Sequence, residues 1–207
     1  MRDAVALHRS KNGNEVRGNG VGGNGLGFDK PDRSDAKLMK LRVIATGGTI
    51  DKVYFDAASS YDVGEPQVVP LFTEANVGFR YEVESVVRKD SLAMTDEDRA
   101  LIRLRVEAAA ESMIVVTHGT DTMTETAAAL RGIPGKTIVL TGAMQPARFR
   151  SSDAFFNLGC AVAAVQLAAP GVYIAMNGRV FPADQARKDR ELGRFELLDP
   201  RSEAGHD

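Results

Sequence analysis

The sequence predicts a three-layer α/β/α fold, a single domain in which helices cover both faces of an open, mostly parallel, flavodoxin-like sheet. Two observations lead to this prediction. From Leu41 onward, short aliphatic and β-branched runs alternate with longer segments whose apolar residues recur at helical intervals. The connections between them are short, as they are where helices link successive parallel strands. With 207 residues, 43% of them hydrophobic, the chain can fill one such core.

The predicted strands are short apolar runs, of which the second alternates between apolar and polar residues as a half-exposed strand does. They lie at 41–46, 81–87, 113–117, 136–142 and 171–177. In a flavodoxin-like order the first and third of these strands are neighbours, and they flank the point where the strand order reverses.

The predicted helices lie between the strands, over 66–75, over 95–113, after Thr122 and over 152–168. The segments Thr95–Asp98 and Thr122–Glu125 have the spacing of a capping box, which places helix starts there. Ser152 or Asp153 is the predicted cap of the last helix. Residues 51–66 show little helical or strand pattern, and a loop of this length inside a domain is typical of a lid.

The segment 1–36 is predicted to be a disordered leader, because its Gly- and Asn-rich sequence offers few apolar side chains. It contains a formal GxGxxG at Gly20–Gly25. No apolar strand precedes this match and no helix follows it, so it does not predict a dinucleotide site.

Charge and composition exclude several classes of function. The net charge of −2, without a long basic run, disfavours a nucleic-acid partner. No apolar run approaches the roughly 18 residues of a membrane span, and the polar N-terminus is unlike a secretory signal, so we expect a cytoplasmic protein. Cys160 is the only cysteine, which excludes an internal disulfide and a cysteine-based zinc cluster. We expect its side chain to be buried.

Two threonine-rich glycine turns are the main indication of function. "TGGT" follows the first predicted strand and "THGTDT" follows the third. Because ligands of open parallel sheets bind beyond the carboxyl ends of the strands at the reversal point, the two turns should face each other across one crevice. This favours a small-molecule site with a reactive threonine hydroxyl. The alternative is that Thr46, Thr49, Thr117 and Thr120 only bond to local backbone groups.

A threonine hydroxyl needs a base to become a nucleophile. His118 lies in the second turn, but the chain lacks a GxSxG serine elbow, and a structural role for His118 is the favoured interpretation. Lysine and tyrosine bases remain open alternatives. Lys188 could reach the crevice from the far side, or be an ordinary solvated lysine. Tyr61 lies in the predicted lid, where it could close over the crevice or pack internally.

The motifs "ATGGTI", "THGTDTMTETA", "LTGAMQP", "SSDAFFNL" and "AMNGRVF…ARK" occur in order and with the spacing of a known family. In these motifs the chain resembles the bacterial-type L-asparaginases, from about Arg42 to Phe195. Members of that family hydrolyse asparagine, and often glutamine, to the acid and ammonia. The resemblance implies no metal and no organic cofactor.

The resemblance also implies roles for individual residues. Thr49 corresponds to the primary nucleophile, and Tyr61 to the tyrosine that accepts its proton. Thr120 and Asp121 correspond to the threonine–aspartate pair of the second turn, and Lys188 to the lysine that activates this second threonine.

Two further roles concern the substrate. In the family the aspartate at the position of Asp121 also holds the α-ammonium group of the substrate. Ser91 corresponds to the serine that binds the α-carboxylate. The reaction implied is threonine attack on the side-chain amide, loss of ammonia, and hydrolysis of the acyl-enzyme by water.

The chain departs from the family pattern in two respects. Family members carry a second, smaller domain whose copy in the partner subunit supplies an acidic residue. We expect residues 37–207 to form the N-terminal-type catalytic domain alone, with the C-terminal domain absent, and to assemble as a homodimer or homotetramer. Leu92 stands where many secreted members have a substrate-contacting glutamine, so we expect weaker binding or an altered choice between asparagine and glutamine.

Three hypotheses about function follow. The first is an L-asparaginase with weak glutaminase activity, which binds a small-molecule substrate and neither nucleic acid nor membrane. The second is a non-catalytic amino-acid-binding module that retains the pocket. The third is the transfer-RNA-linked amidotransferase branch of the superfamily, which would need a larger chain and a basic face.

Overall fold

The computed structural model describes residues 39–55 and 60–198. The predicted leader at 1–36 lies outside the described residues. In chain order the strands are β1 (Lys40–Gly47), β2 (Lys52–Phe55), β3 (Ser60–Val63), β4 (Arg80–Lys89), β5 (Met113–Thr117), β6 (Thr137–Thr141), β7 (Gly171–Met176), β8 (Arg179–Pro182), β9 (Ala186–Asp189) and β10 (Arg194–Leu197). The helices are α1 (Val68–Glu74), α2 (Asp96–Ala108), α3 (Met123–Ala129) and α4 (Ala154–Leu167). Short 3-10 turns lie at Thr49–Asp51 and Ser91–Ala93.

The central sheet has the order β4-β1-β5-β6-β7-β8. The first five strands pair in parallel, and β8 adds an antiparallel edge. The five predicted strands therefore occupy the flavodoxin-like order, and the prediction of an open, mostly parallel sheet is confirmed. Strands β1 and β5 are neighbours, so the two glycine turns leave the sheet side by side.

Helices cover both faces of the sheet, as predicted. On one face, Ile102 and Val106 of α2 pack with Met123 of α3 in one apolar cluster. On the other face, α1 and α4 contribute Phe72 and Leu158 to a second cluster. Successive strand residues alternate between the two clusters, because neighbouring side chains of a strand point to opposite faces.

The helix ends differ in part from the predictions. The capping box at Thr95–Asp98 is confirmed. Helix α2 ends at Ala108, because Ala109 is already extended, and the residues up to Met113 do not continue it. Helix α3 starts directly after Thr122, as predicted, but the capping bond is absent because the Thr122 hydroxyl donates to the carbonyl of Ser91 at 2.8 Å instead.

Both residues offered by the sequence as the cap of α4 lie at its start, and they divide the role. Asp153 occupies the N-cap position, but its side chain makes no capping hydrogen bond within the helix. Its carboxylate accepts from Met144 N at 3.0 Å, so it fastens the preceding loop. The Ser152 hydroxyl accepts from Ala154 N at 3.1 Å.

The predicted lid at 51–66 contains a β-hairpin, in which β2 and β3 pair antiparallel. A second hairpin, β9–β10, follows the edge strand β8. Sequence patterns missed these short strands because four residues are too few to establish an alternation. Cys160, predicted to be buried, is partly buried on α4. In the described part of the chain, no helix is long and apolar enough to cross a membrane.

Candidate active site

The two glycine turns are packed directly against each other. Gly48 has φ +84 and ψ −171, a conformation open only to glycine. A Cβ atom on Gly48 would lie 2.3 Å from the backbone nitrogen of Gly119. The first turn therefore needs glycine both for its dihedral angles and for its contact with the second turn.

Thr49 is held at the start of a short 3-10 turn. The Gly48 N–H donates to Lys89 O at 3.0 Å, and the Asp51 N–H donates back to Gly48 O at 3.1 Å. The next side chain, Ile50, is fully buried and anchors the turn in the core. The Thr49 side chain itself is half-buried, so it is not enclosed in the core as Ile50 is.

Ser91 packs against the second turn. Its side chain is buried, and a Cβ atom added to Gly119 would lie 2.6 Å from Ser91 Oγ. The Ser91 carbonyl accepts the hydroxyl of Thr122, which follows the second turn. The structure thus brings Ser91, predicted as a substrate-binding residue, next to the turn that contains Thr120.

Lys188 contacts both residues of the predicted threonine–aspartate pair. Its Nζ donates to Thr120 Oγ1 at 2.7 Å and to Asp121 Oδ1 at 2.8 Å. The Lys188 side chain is only 16% exposed, so the contacts are shielded from water. Lys188 Nζ therefore lies at the distance from the Thr120 hydroxyl that direct proton transfer between two groups requires.

The hairpin that carries Lys188 is fastened by buried groups that the sequence analysis did not identify. Phe195 is buried, and its N–H donates to Asn177 Oδ1 at 3.0 Å. The Asn177 N–H donates in turn to Asn157 Oδ1 at 3.0 Å, and the Asn157 side chain is fully buried on α4. Asn177 has φ +53, a left-handed conformation that asparagine tolerates. The sequence did hold one indication of this contact, an asparagine at position 157 among the apolar residues of a predicted helix.

Both ring nitrogens of His118 form hydrogen bonds inside the protein. Its Nδ1–H donates to Gly119 O at 2.7 Å, and its Nε2 accepts from Thr126 Oγ1 at 2.8 Å. Complete burial lowers the pKa of His118 to about 4, so the ring is neutral near pH 7. These contacts fit the structural role favoured for His118 and leave neither ring nitrogen free for a substrate.

The first threonine of each turn, Thr46 or Thr117, still belongs to the strand before it. Thr46 donates its hydroxyl to Thr117 O at 2.9 Å, so the local backbone role applies to Thr46. The Thr117 hydroxyl is buried, and within residues 39–55 and 60–198 it has no hydrogen-bond partner. Both side chains are buried at the ends of strands β1 and β5.

Tyr61 lies in strand β3, paired with Tyr54 of β2, and its side chain falls outside the described residues. The same hairpin reaches the first turn, since a Cβ atom on Gly47 would lie 2.8 Å from Val63 Cγ1. The hairpin therefore packs against the turn that carries Thr49, in the segment where a lid was predicted.

Asp51 is a buried carboxyl group that the sequence analysis did not single out. Its Oδ1 accepts from Gln67 N at 2.8 Å, which ties the first turn to the start of α1. Burial raises the pKa of Asp51 to about 7. Among the described residues, no group of three or more His, Cys, Asp or Glu side chains could hold a metal ion.

A family model described as "Asparaginase, N-terminal" matches residues 40–194. The chain is 31% identical over 161 residues to an L-asparaginase of Thermococcus kodakarensis, covering 75% of this chain and 49% of that protein. A glutaminase-asparaginase of Pseudomonas fluorescens is 32% identical over 165 residues, covering 73% of this chain and 46% of that protein. One component of the glutamyl-tRNA(Gln) amidotransferase of Methanococcus vannielii is 33% identical over 162 residues, covering 69% of this chain and 35% of that protein.

The fold is also similar to a solved structure. The thermostable L-asparaginase from Thermococcus kodakarensis superposes with a TM-score of 0.69 at 30% identity, covering 77% of this chain and 51% of that chain. The chain thus spans about half the length of the L-asparaginase and glutaminase-asparaginase relatives and of the structure that it matches.

Proposed function

The chain belongs to the asparaginase family, and on this premise we propose that it is an L-asparagine amidohydrolase. It converts L-asparagine to L-aspartate and ammonia, with weak activity on glutamine. The observation that carries the proposal is the contact of Lys188 with Thr120 and Asp121, formed across 68 and 67 residues of sequence. Burying a lysine costs free energy, and a hydroxyl group offsets little of that cost. A lysine held in this position is therefore expected to have a chemical role.

The proposed reaction begins with attack of the Thr49 hydroxyl oxygen on the side-chain amide carbon of asparagine. Tyr61 accepts the hydroxyl proton, a C–O bond forms, and the C–N bond breaks as ammonia leaves with a proton. Water then adds to the aspartyl ester and releases aspartate and the Thr49 hydroxyl. Backbone N–H groups at the glycine turns stabilise the oxyanion in both steps. No metal ion or organic cofactor takes part in these steps.

A second threonine is proposed to work through Lys188. The amine of Lys188 removes the proton of the Thr120 hydroxyl, and Asp121 stabilises the ammonium that results. The packing of Gly48 against Gly119 supports this arrangement, because it joins the turn of Thr49 to that of Thr120. Two hydroxyl groups can then act on one amide.

Substrate binding is proposed to use the α-substituents of the amino acid. Ser91 binds the α-carboxylate, and Asp121 binds the α-ammonium group. Leu92, next to Ser91, is 68% exposed and its side chain cannot donate a hydrogen bond. The proposal therefore includes weaker substrate binding than a glutamine at this position would give.

The proposal also covers the location, the catalytic domain and the assembly of the enzyme. We infer a cytoplasmic protein whose catalytic unit is the domain over 37–207. It works on a free small molecule, independently of nucleic acid and membrane, and it assembles as a homodimer or homotetramer.

The test is ammonia release from asparagine by the wild type and by Thr49→Ala and Thr120→Ala. Both variants should lose at least about 10³-fold in kcat, as removal of a catalytic nucleophile does in related chemistry. Thr73→Ala is the matched control, because Thr73 is an exposed threonine on α1 whose hydroxyl donates to Val69 O of its own helix. Full activity in Thr49→Ala would show that another group is the nucleophile.

The same experiment separates the alternatives. A wild type that releases no ammonia, but whose melting temperature rises with asparagine or aspartate, would be an amino-acid-binding module. The similarity to the amidotransferase component supports an amide-hydrolysing site equally well. Transfer-RNA-dependent ammonia release would favour that branch, which the net charge of −2 does not.

A further inference from the structure

One carboxylate joins the hairpin β2–β3 to the turn that carries Ser91. Asp90 Oδ1 accepts from Leu92 N at 3.1 Å, which caps the Ser91–Ala93 turn. Asp90 Oδ2 lies 2.6 Å from Lys52 Nζ. Lys52 is the first residue of β2 and directly follows the turn of Thr49. The carboxylate therefore joins the start of the hairpin to the turn that carries Ser91.

The charges around Asp90 keep it ionised. The hydrogen bond from Lys52 holds the pKa of Asp90 below its usual value, and the charge of Lys188 acts in the same direction. The side chains of Lys52 and Asp90 are 26% and 39% exposed. An ion pair this exposed contributes little to global stability, so it can be removed without unfolding the protein.

A second ion pair holds the other strand of the same hairpin, at the same open end, and provides a control. Arg88 of β4 donates to Glu65 through Nη1 and Nη2, at 2.7 and 2.8 Å. Arg88 Nε donates to Ser85 Oγ at 3.2 Å. These contacts fasten the segment after β3 to β4, and they do not involve the turn of Ser91.

Resting on the proposed function, we propose that Lys52 and Asp90 are positioning residues whose ion pair fixes the hairpin against the Ser91 turn. The pair sets the width of the cleft at the end where the α-carboxylate of the amino acid binds. Its loss leaves the reacting groups Thr49, Thr120 and Lys188 in place. We therefore expect an effect on substrate binding rather than on the chemical step.

The experiment compares the steady-state kinetics of Lys52→Met and Asp90→Asn with those of Lys52→Arg and the control Arg88→Met. Asparagine at position 90 keeps an acceptor for Leu92 N while it removes the charge. We expect KM for asparagine to rise about tenfold in Lys52→Met and Asp90→Asn. In Lys52→Met, which keeps the charge of Asp90 near Lys188, kcat should stay within about twofold. The variants Lys52→Arg and Arg88→Met should stay close to the wild type. The double variant should be no worse than either single variant.

Salt provides a second readout. KM of the wild type should rise between about 0.05 and 0.5 M salt, because an exposed pair is screened, and KM of Lys52→Met should not. Unchanged KM in Lys52→Met and Asp90→Asn would overturn the proposal. So would an equal rise in Arg88→Met, since that would mean that any loosening of the hairpin has the same effect.

Amide hydrogen exchange tests this inference independently of the proposed function. If the wild type neither hydrolyses nor binds asparagine, the proposed function fails on its own. Exchange at Leu92–Met94 then decides the inference. Faster exchange there in Lys52→Met, but not in Arg88→Met, would support the positioning pair. Equal exchange in the wild type and Lys52→Met would overturn it.

Discussion

At the scale of the residue, two buried titratable groups lie close to the candidate site and shift in opposite directions. Burial lowers the pKa of His118 to about 4, and it raises the pKa of Asp51 to about 7. Both shifts favour the neutral form, because the interior solvates charge poorly. His118 is satisfied by Gly119 and Thr126, whereas Asp51 must ionise in a buried position as the pH rises.

The first prediction concerns Asp51→Asn. Because the folded pKa of Asp51 is raised above the unfolded value of 3.8, the folded protein binds more protons between pH 3.8 and about 7. The contribution of Asp51 to the free energy of unfolding of the wild type is therefore fully present below pH 3.8. It is lost as the pH rises to about 7. The variant has no such loss, so its advantage over the wild type should grow by about 4 kcal/mol from pH 3.5 to pH 8.

Urea unfolding of both proteins across this pH range measures the difference. Asparagine keeps an acceptor for the N–H of Gln67, so the fold should be retained. A pH-independent difference between the two proteins would mean that Asp51 is ionised throughout and that its charge is compensated in the folded state.

At the scale of the element, the site depends on how closely two strand ends approach. Strands β1 and β5 are neighbours in the sheet, and their turns meet at Gly48 and Gly119. The hairpin β2–β3 packs against the first turn, and the hairpin β9–β10 brings Lys188 to the second. Each hairpin is too short to be stable alone, so its position is set by the side chains that fasten it.

The second prediction compares two glycine variants. Gly48 and Gly132 both have positive φ, of +84 and +80, but a Cβ atom on Gly132 would meet nothing within 4 Å. Gly132→Ala should therefore cost only about 1 kcal/mol of unfolding free energy, for the left-handed conformation. Gly48→Ala should cost more than about 3 kcal/mol, because the methyl group also forces the two turns apart.

Chemical denaturation of the two variants measures these costs, and asparagine hydrolysis measures the effect on the site. Gly132→Ala should keep its activity, while Gly48→Ala should lose it even where folded protein is recovered. Similar unfolding free energies for both variants would show that the turns can separate freely, which would argue against a shared cleft.

At the scale of the whole molecule, the surface retains large apolar side chains. Phe156 is 65% exposed on α4, Leu167 is 86% exposed at its end, and Leu92 is 68% exposed beside the cleft. Exposed apolar side chains that form a contiguous patch are typical of an interface between subunits. Phe156 and Leu167 both belong to α4, so this helix is where the proposed homo-oligomer can be tested.

The third prediction is a homodimer at micromolar concentration, measured by light scattering alongside asparagine hydrolysis. Dilution should lower specific activity if the assembly completes the site, because dimers dissociate by mass action. Phe156→Ser should shift the same equilibrium toward monomer if α4 lies in the interface. A strictly monomeric protein with full activity would contradict the prediction.

The local patterns of the sequence were sufficient for much of the fold. The apolar runs at 41–46 and 113–117 could be recognised as buried strands, because a period of two or a short aliphatic run is a property of neighbouring residues. Thr95–Asp98 was recognised as a capping box for the same reason. Thr122 shows the limit of such reasoning. Its spacing to Glu125 is that of a capping box, but its hydroxyl group donates to Ser91 O, which is distant in the sequence.

By itself, the sequence determined the strand segments, the flavodoxin-like arrangement and the two glycine turns at adjacent strand ends. Only the tertiary structure decided that Lys188 contacts Thr120 and Asp121, and that Lys52 pairs with Asp90. The physical reason is that periodicity and turn chemistry act over a few residues, whereas these contacts join segments far apart in the chain. Their geometry exists only once the sheet and its two hairpins have packed.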